Sequence, residues 1–148
     1  MELKIIELTK RFANKTAVNQ LSFSLYNGVY GLLGANGAGK STLMRMLCRL
    51  QRPSSGRILC NNKDIYTMGE QYASYLGYLP QSFGYYAEFS AREFLLYLSL
   101  VKGLPKATAI RRCNILLEEL GLPAGQHRKI KTFSGGMKQR VGIAQALL

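Results

Sequence analysis

The run from Gly34 to Ser41 (GANGAGKS) has the spacing G-x-x-x-x-G-K-[ST], and each fixed residue type in it meets a need of a polyphosphate ligand. Glycines let backbone N–H groups turn inward and approach phosphate oxygens closely. A helix beginning near Lys40 adds unpaired N–H groups and the positive end of its dipole. Lys40 offers a mobile ammonium to the β- and γ-phosphates, Ser41 a hydroxyl to Mg²⁺, and Thr42 a hydroxyl to an α-phosphate oxygen. Gly34, Asn36, Gly37, Ala38 and Gly39 make the rest of the cradle, with ATP and Mg²⁺ the expected cofactors. A second segment, Ser134-Gly135-Gly136, places a hydroxyl and free amides where a helix is expected to start. Taken alone, such a triplet is more often a helix cap than an anion site.

These residues need elements to hold them. Residues 29–33 (VYGLL) are nearly all apolar and read as a parallel strand buried on both faces, leading into the loop. After the loop, Leu43, Met44, Met46, Leu47 and Leu50 recur at helical spacing. Residues 2–8 alternate weakly, residues 9–15 read as a polar turn, and residues 21–26 alternate strictly. Asn27-Gly28 follows as a turn signal, and these two runs can pair as a hairpin. Residues 57–60 and 75–79 read as further strands. Ser90-Ala91-Arg92-Glu93 has the form of a capping box and opens a helix, Pro105 opens another that Gly121 ends, and residues 135–148 form a last one.

Of the 148 residues, 47% are hydrophobic and 19% charged, the balance of a globular domain. No apolar run approaches the roughly 18 residues of a membrane span, and no leader pattern opens the chain. The net charge of +12 comes from 20 basic residues scattered along the chain, the tightest group being Arg128-Lys129-Lys131. A nucleic-acid partner is therefore not expected. Cys48, Cys60 and Cys113, odd in number and far apart, read as buried free thiols rather than disulfides or zinc ligands. His127, between Gln126 and Arg128, reads as a solvated residue.

The stretch 132–140 (TFSGGMKQR) resembles the LSGGQ-type signature of ABC ATPases, with Phe133 in place of Leu and Met137 in place of Gln. The resemblance covers the whole chain. It implies an α/β phosphate-loop ATPase fold with an N-terminal antiparallel β part and a helical subdomain. The ATPase domain would span 1–148 incompletely, with a nucleotide-binding α/β part at 1–87, a helical subdomain at 88–130, and the signature with its helix at 131–148. It also implies roles for particular residues. Phe12, otherwise a packing residue, would stack on adenine. Gln81, otherwise a solvated loop residue, would link the metal and water at the γ-phosphate to the helical subdomain. Ser134, Gly135 and Gly136 would contact ATP held by a second ATP-binding subunit in a head-to-tail dimer. The catalytic set would then be Lys40, Gln81 and, in trans, Ser134; the metal set would be Ser41 and Gln81. The implied activity is that of an ATP-binding subunit of an ABC transporter, coupling ATP binding and hydrolysis to transport. Its partner would be a membrane-spanning subunit, and its place the cytoplasmic face of the cell membrane. Residues 79–85, with Glu93 and Tyr97, look most like the bacterial export branch that pumps drugs, antibiotic peptides or lipids.

The family also uses a Walker B strand, four apolar residues followed by Asp and a catalytic Glu. Asp64, the one Asp in the sequence, follows Asn61-Asn62-Lys63, and Glu118-Glu119 lie in a helical pattern ahead of the signature. Neither fits, so the sequence reads as stopping before Walker B. The C-terminal core strands would be missing, strand 29–33 would be open along one side, and the chain alone would bind ATP without hydrolysing it. Alternatives are a nucleotide-binding fragment without activity and a soluble ABC ATPase, which would usually carry two cassettes or a coiled-coil insertion. A nucleoside or metabolite kinase would instead show an arginine-rich lid and no Ser134-Gly135-Gly136 motif.

Overall fold

The computed structural model describes residues 1–122 and 127–148. It consists of two compact units, Met1–Leu76 and Gly77–Leu148.

The first unit is a four-stranded sheet with helices. The strands are β1 (Leu3–Phe12), β2 (Lys15–Leu25), β3 (Ser55–Cys60) and β4 (Lys63–Asp64), in the order β2-β1-β3-β4. Every pairing among them is antiparallel. The two N-terminal runs do pair, Leu3 opposite Leu25, but both strands run further than the side-chain pattern indicates. The polar segment expected to turn over residues 9–15 narrows to Ala13-Asn14, with Phe12 facing Lys15. Ladder hydrogen bonds use backbone groups only, so polar side chains pointing to water do not end a strand. The register shifts along β1 are bridged by side chains: the Glu7 N–H donates to Ser22 Oγ (2.8 Å) and the Gln20 N–H to Thr9 Oγ1 (3.0 Å).

Helix α1 (Lys40–Leu47) buries Leu43 and Met46, and α2 (Glu70–Ala73) buries Tyr72. With Ile5, Leu8, Val18, Ile58, Cys60 and Ile65 they form one core. Each fully buried aliphatic side chain contributes about 1.5–3 kcal/mol. The Tyr72 hydroxyl donates to the Leu47 carbonyl at 2.8 Å, and burial pushes its pKa up to about 12, so it stays a neutral donor.

Two expected strands do not form. Residues 29–33 and 75–79 have no ladder, and Val29 and Leu33 are 103% and 92% exposed. A strand buried on both faces needs a partner on each edge. Both edges of β1 are already taken by β2 and β3, and the described residues supply no other strand beside 29–33. The expected parallel part of the sheet is therefore not present among the described residues.

The second unit contains α3 (Ala91–Val101), α4 (Lys106–Glu119), a 3-10 turn at Ile130–Thr132 and α5 (Gly135–Leu147). Their core joins Phe94 and Leu95 to Cys113, Leu116, Leu117, Leu122, Ile130, Phe133, Val141 and Ala144. The tight contact of α5 with residues 79–83 depends on Gly142. A Cβ there would lie 2.7 Å from Leu79 Cδ1 and 2.8 Å from Phe83 Cε1. Of the free thiols, Cys60 and Cys113 are buried and Cys48 is half-buried.

The expected capping box is present on α3. The Glu93 N–H donates to Ser90 Oγ at 3.2 Å, and the Ser90 N–H donates to the Glu93 carboxylate at 2.7 Å. Hydrogen bonding from Ser90 to the carboxylate, its backbone N–H foremost, holds the Glu93 carboxyl below its ordinary pKa. Its contribution is therefore present when it is ionised and is lost as pH falls through that lowered value. Ser90→Ala should lower unfolding stability by about 1 kcal/mol in urea titration, with the melting of the second unit as the readout. An unchanged midpoint would show that Ser90 does not cap this helix.

Candidate nucleotide-binding site

Gly39 ends the loop at the N-cap of α1 with φ +90° and ψ 2°, a left-handed conformation that excludes an ordinary side chain at low cost. Packing reinforces the choice. A Cβ on Gly39 would stand 2.1 Å from the Ala17 carbonyl oxygen and 3.3 Å from Val18 Cγ2. The loop is thus pressed against β2. Within it, the Ala38 N–H donates to the Ala35 carbonyl at 3.2 Å, and Lys40 Nζ donates to the carbonyls of Gly34 (2.6 Å) and Ala35 (2.8 Å). The ammonium is held over the loop, next to the amides it would serve with.

The start of α1, like that of α4, carries no side-chain cap and no acidic residue in its first turn, and its first intrahelical bond runs from the Leu43 N–H to the Gly39 carbonyl. The amides of Lys40, Ser41 and Thr42 are left for an external acceptor. Lys40 and Thr42 are half-exposed and Ser41 exposed. This set suits an anion: amides, a dipole end, a lysine and two hydroxyls, with no carboxylate in the turn. Ser41 is the residue that would offer an oxygen to Mg²⁺.

Phe12 lies at the end of β1 and is 46% exposed, outside the core. Lys10 Nζ stands 5.5 Å from its ring centroid. Asp64 accepts the Tyr66 N–H at 2.8 Å through Oδ1, an Asx turn beside β4, so its carboxylate serves the local fold.

Gln81 and the Ser134-Gly135-Gly136 segment belong to the second unit. Gln81 is exposed. Ser134 is the N-cap of α5, and its Oγ accepts the Met137 N–H at 3.2 Å. Gly135 and Gly136 are exposed, and a Cβ on either would meet no heavy atom within 4 Å. The cap and an open amide face coexist there. In the first unit the loop lies against β2 at Ala17 and Val18, and Phe12 faces Lys15 across the hairpin end. Sequence reading missed Lys15, Ala17 and Val18 as neighbours of the loop, because their side chains carry no motif and only the β2 path places them there.

A glycine-ended loop feeding an uncapped helix that starts Lys-Ser-Thr defines a phosphate-loop protein. Residues 18–148 match the family model described as ABC transporter. The chain belongs to the ABC transporter family. It is 40% identical over 149 residues to the ABC transporter ATP-binding protein YxlF of Bacillus subtilis, covering 99% of this chain and 48% of that protein. It is 38% identical over 150 residues to the linearmycin resistance ATP-binding protein LnrL of the same organism, covering 99% and 47%. Among solved structures, cbiO1 of Clostridium perfringens, part of the ABC transporter complex cbiONQ, matches with a TM-score of 0.81 at 28% identity. That match covers 98% of this chain and 60% of the other. The chain spans about half the length of the curated relatives it matches.

Proposed function

We propose that this chain is the ATP-binding part of an ABC transporter subunit that couples ATP binding and hydrolysis to transport, in the export direction. The observation that carries this reading is the start of α1, with its free amides and Lys40 poised over the loop carbonyls. Gly34, Asn36, Gly37, Ala38, Gly39, Lys40, Ser41 and Thr42 hold the phosphates, and Ser41 with Gln81 serves Mg²⁺. Lys40 and Gln81 act in cis. Ser134, Gly135 and Gly136 act on the nucleotide of a second ATP-binding subunit in a head-to-tail dimer. Residues 1–87 form the nucleotide-binding α/β part, residues 88–130 the helical subdomain, and residues 131–148 the signature and its helix. Export is supported by the likeness to a linearmycin resistance protein. No helix among the described residues is long and apolar enough to cross a membrane. A membrane-spanning subunit supplies the path, as the likeness to a component of the transporter complex cbiONQ supports. The subunit then works on the cytoplasmic face of that membrane.

Titration of the chain with ATP and Mg²⁺ by calorimetry tests the reading, with saturable binding displaced by ADP as the expected result. Phe12→Ala sharpens it. A stacked base contributes ~1–3 kcal/mol in related nucleic-acid cases, and stacking tolerates base identity. The variant should therefore bind ATP and GTP together at least about fivefold more weakly. Unchanged affinity for both would return Phe12 to a surface residue, and absence of saturable ATP binding by the parent would overturn the function.

A further inference from the structure

The path of β2 brings a second cation to the phosphate loop, one outside its motif. Lys15 is the first residue of β2 and faces Phe12 across the hairpin end. Ala17 lies two residues further on, at the register shift between the Arg11–Thr16 and Lys10–Val18 pairs, where the ladder leaves it unpaired. The Ala17 carbonyl touches the position a Cβ would take on Gly39, and Lys15 Nζ stands 3.9 Å from the corresponding position on Gly37. The strand and the loop therefore run alongside one another: a step of two residues along β2 matches a step of two along the loop. Because the Ala17 contact is backbone to backbone, the strand that carries the ammonium is fixed against the loop.

The lysine nearest to it on β1, Lys10, is already engaged. Lys10 Nζ donates to the Arg52 carbonyl at 2.8 Å and stands beside the Phe12 ring. Among the described residues the ion pair formed is Lys131 with Glu88, in the second unit, and Lys15 Nζ has no hydrogen-bond acceptor there. Lys15 is exposed, so its charge remains hydrated until an anion approaches.

We propose that Lys15 is a phosphate-contacting residue of this site, a second ammonium that strengthens binding of the nucleotide's phosphate chain from the β2 side of the loop. The proposal rests on the nucleotide reading of the loop given above. An ammonium a few ångströms from a polyphosphate attracts it more strongly the less water intervenes, and added salt screens that attraction. Lysine and arginine both supply the positive charge, whereas glutamine supplies length without it.

The test is calorimetric titration of ATP with Mg²⁺ into the 148-residue parent, Lys15→Gln, Lys15→Arg and Lys40→Ala, at low and high salt. Lys15→Gln should bind about five- to tenfold more weakly at low salt, with a smaller deficit at high salt, while Lys15→Arg stays within about twofold of the parent. Thermal melting should be the same for the parent and both Lys15 variants, because the side chain is exposed and unpaired among the described residues. Parent-like affinity of Lys15→Gln alongside weakened Lys40→Ala would overturn the role of Lys15 and leave the nucleotide site standing. Equal affinity in all four proteins would overturn both. A deficit in Lys15→Gln that salt does not reduce, or that Lys15→Arg shares, would mark a structural effect and defeat the proposal.

Discussion

Lys40→Ala should weaken ATP binding roughly ten- to a hundredfold. The expected loss follows from one charge-assisted hydrogen bond to a phosphate, worth ~1.5–3 kcal/mol, at 1.4 kcal/mol per tenfold. The structure makes this a clean experiment. Among the described residues Lys40 Nζ is bonded only to the loop's own carbonyls, those of Gly34 and Ala35, so its removal takes no packing from the core. Leu43 and Met46, which anchor α1, are untouched. Melting of the first unit should therefore shift little while affinity falls, and calorimetry beside circular dichroism separates the two. Equal ATP affinity in the folded parent and the folded variant would contradict the assignment of the loop. Lys40→Arg should not restore full binding, because a planar guanidinium fork does not reproduce a compact point charge close against a glycine loop.

Gly39→Ala should cost both stability and binding. Its φ of +90° is unfavourable for alanine, at about 1–2 kcal/mol for a left-handed residue. The larger effect is steric. The new Cβ would fall 2.1 Å from the Ala17 carbonyl oxygen and 3.1 Å from its carbon, and a backbone carbonyl cannot swing away as a side-chain tip can. Either the loop lifts or the end of the hairpin moves, and each change disturbs the alignment of the loop with β2. The expected result is a loss of about 2–4 kcal/mol in urea unfolding of the first unit, with ATP binding reduced at least as far as in Lys40→Ala. Parent-like stability together with parent-like affinity would show that the loop does not depend on this contact. Loss of stability with affinity preserved would separate folding from binding at Gly39 and deny the loop its fixed shape.

The chemistry of the loop is legible in the sequence because it is local. Glycines, a lysine and hydroxyls at fixed spacing act through neighbouring backbone, so residues 34–42 predict their own geometry, and α1 starts at Lys40. The helical unit is legible for the same reason: the capping box at Ser90 and Glu93 and the cap at Ser134 are short-range devices. Pairing between distant segments is different. Composition alone makes residues 29–33 a buried strand, yet burial requires partners on both edges, and among the described residues β1 has both edges filled while 29–33 stands exposed. Conversely, residues 15–20 carry no apolar alternation, but the β1 ladder draws them into β2 through backbone hydrogen bonds. That pairing, invisible in side-chain pattern, sets Ala17 against Gly39 and brings Lys15 over Gly37. The sequence determined which residues can hold phosphate; the tertiary structure decided what surrounds them, because strand partners and backbone contacts depend on where the whole chain runs.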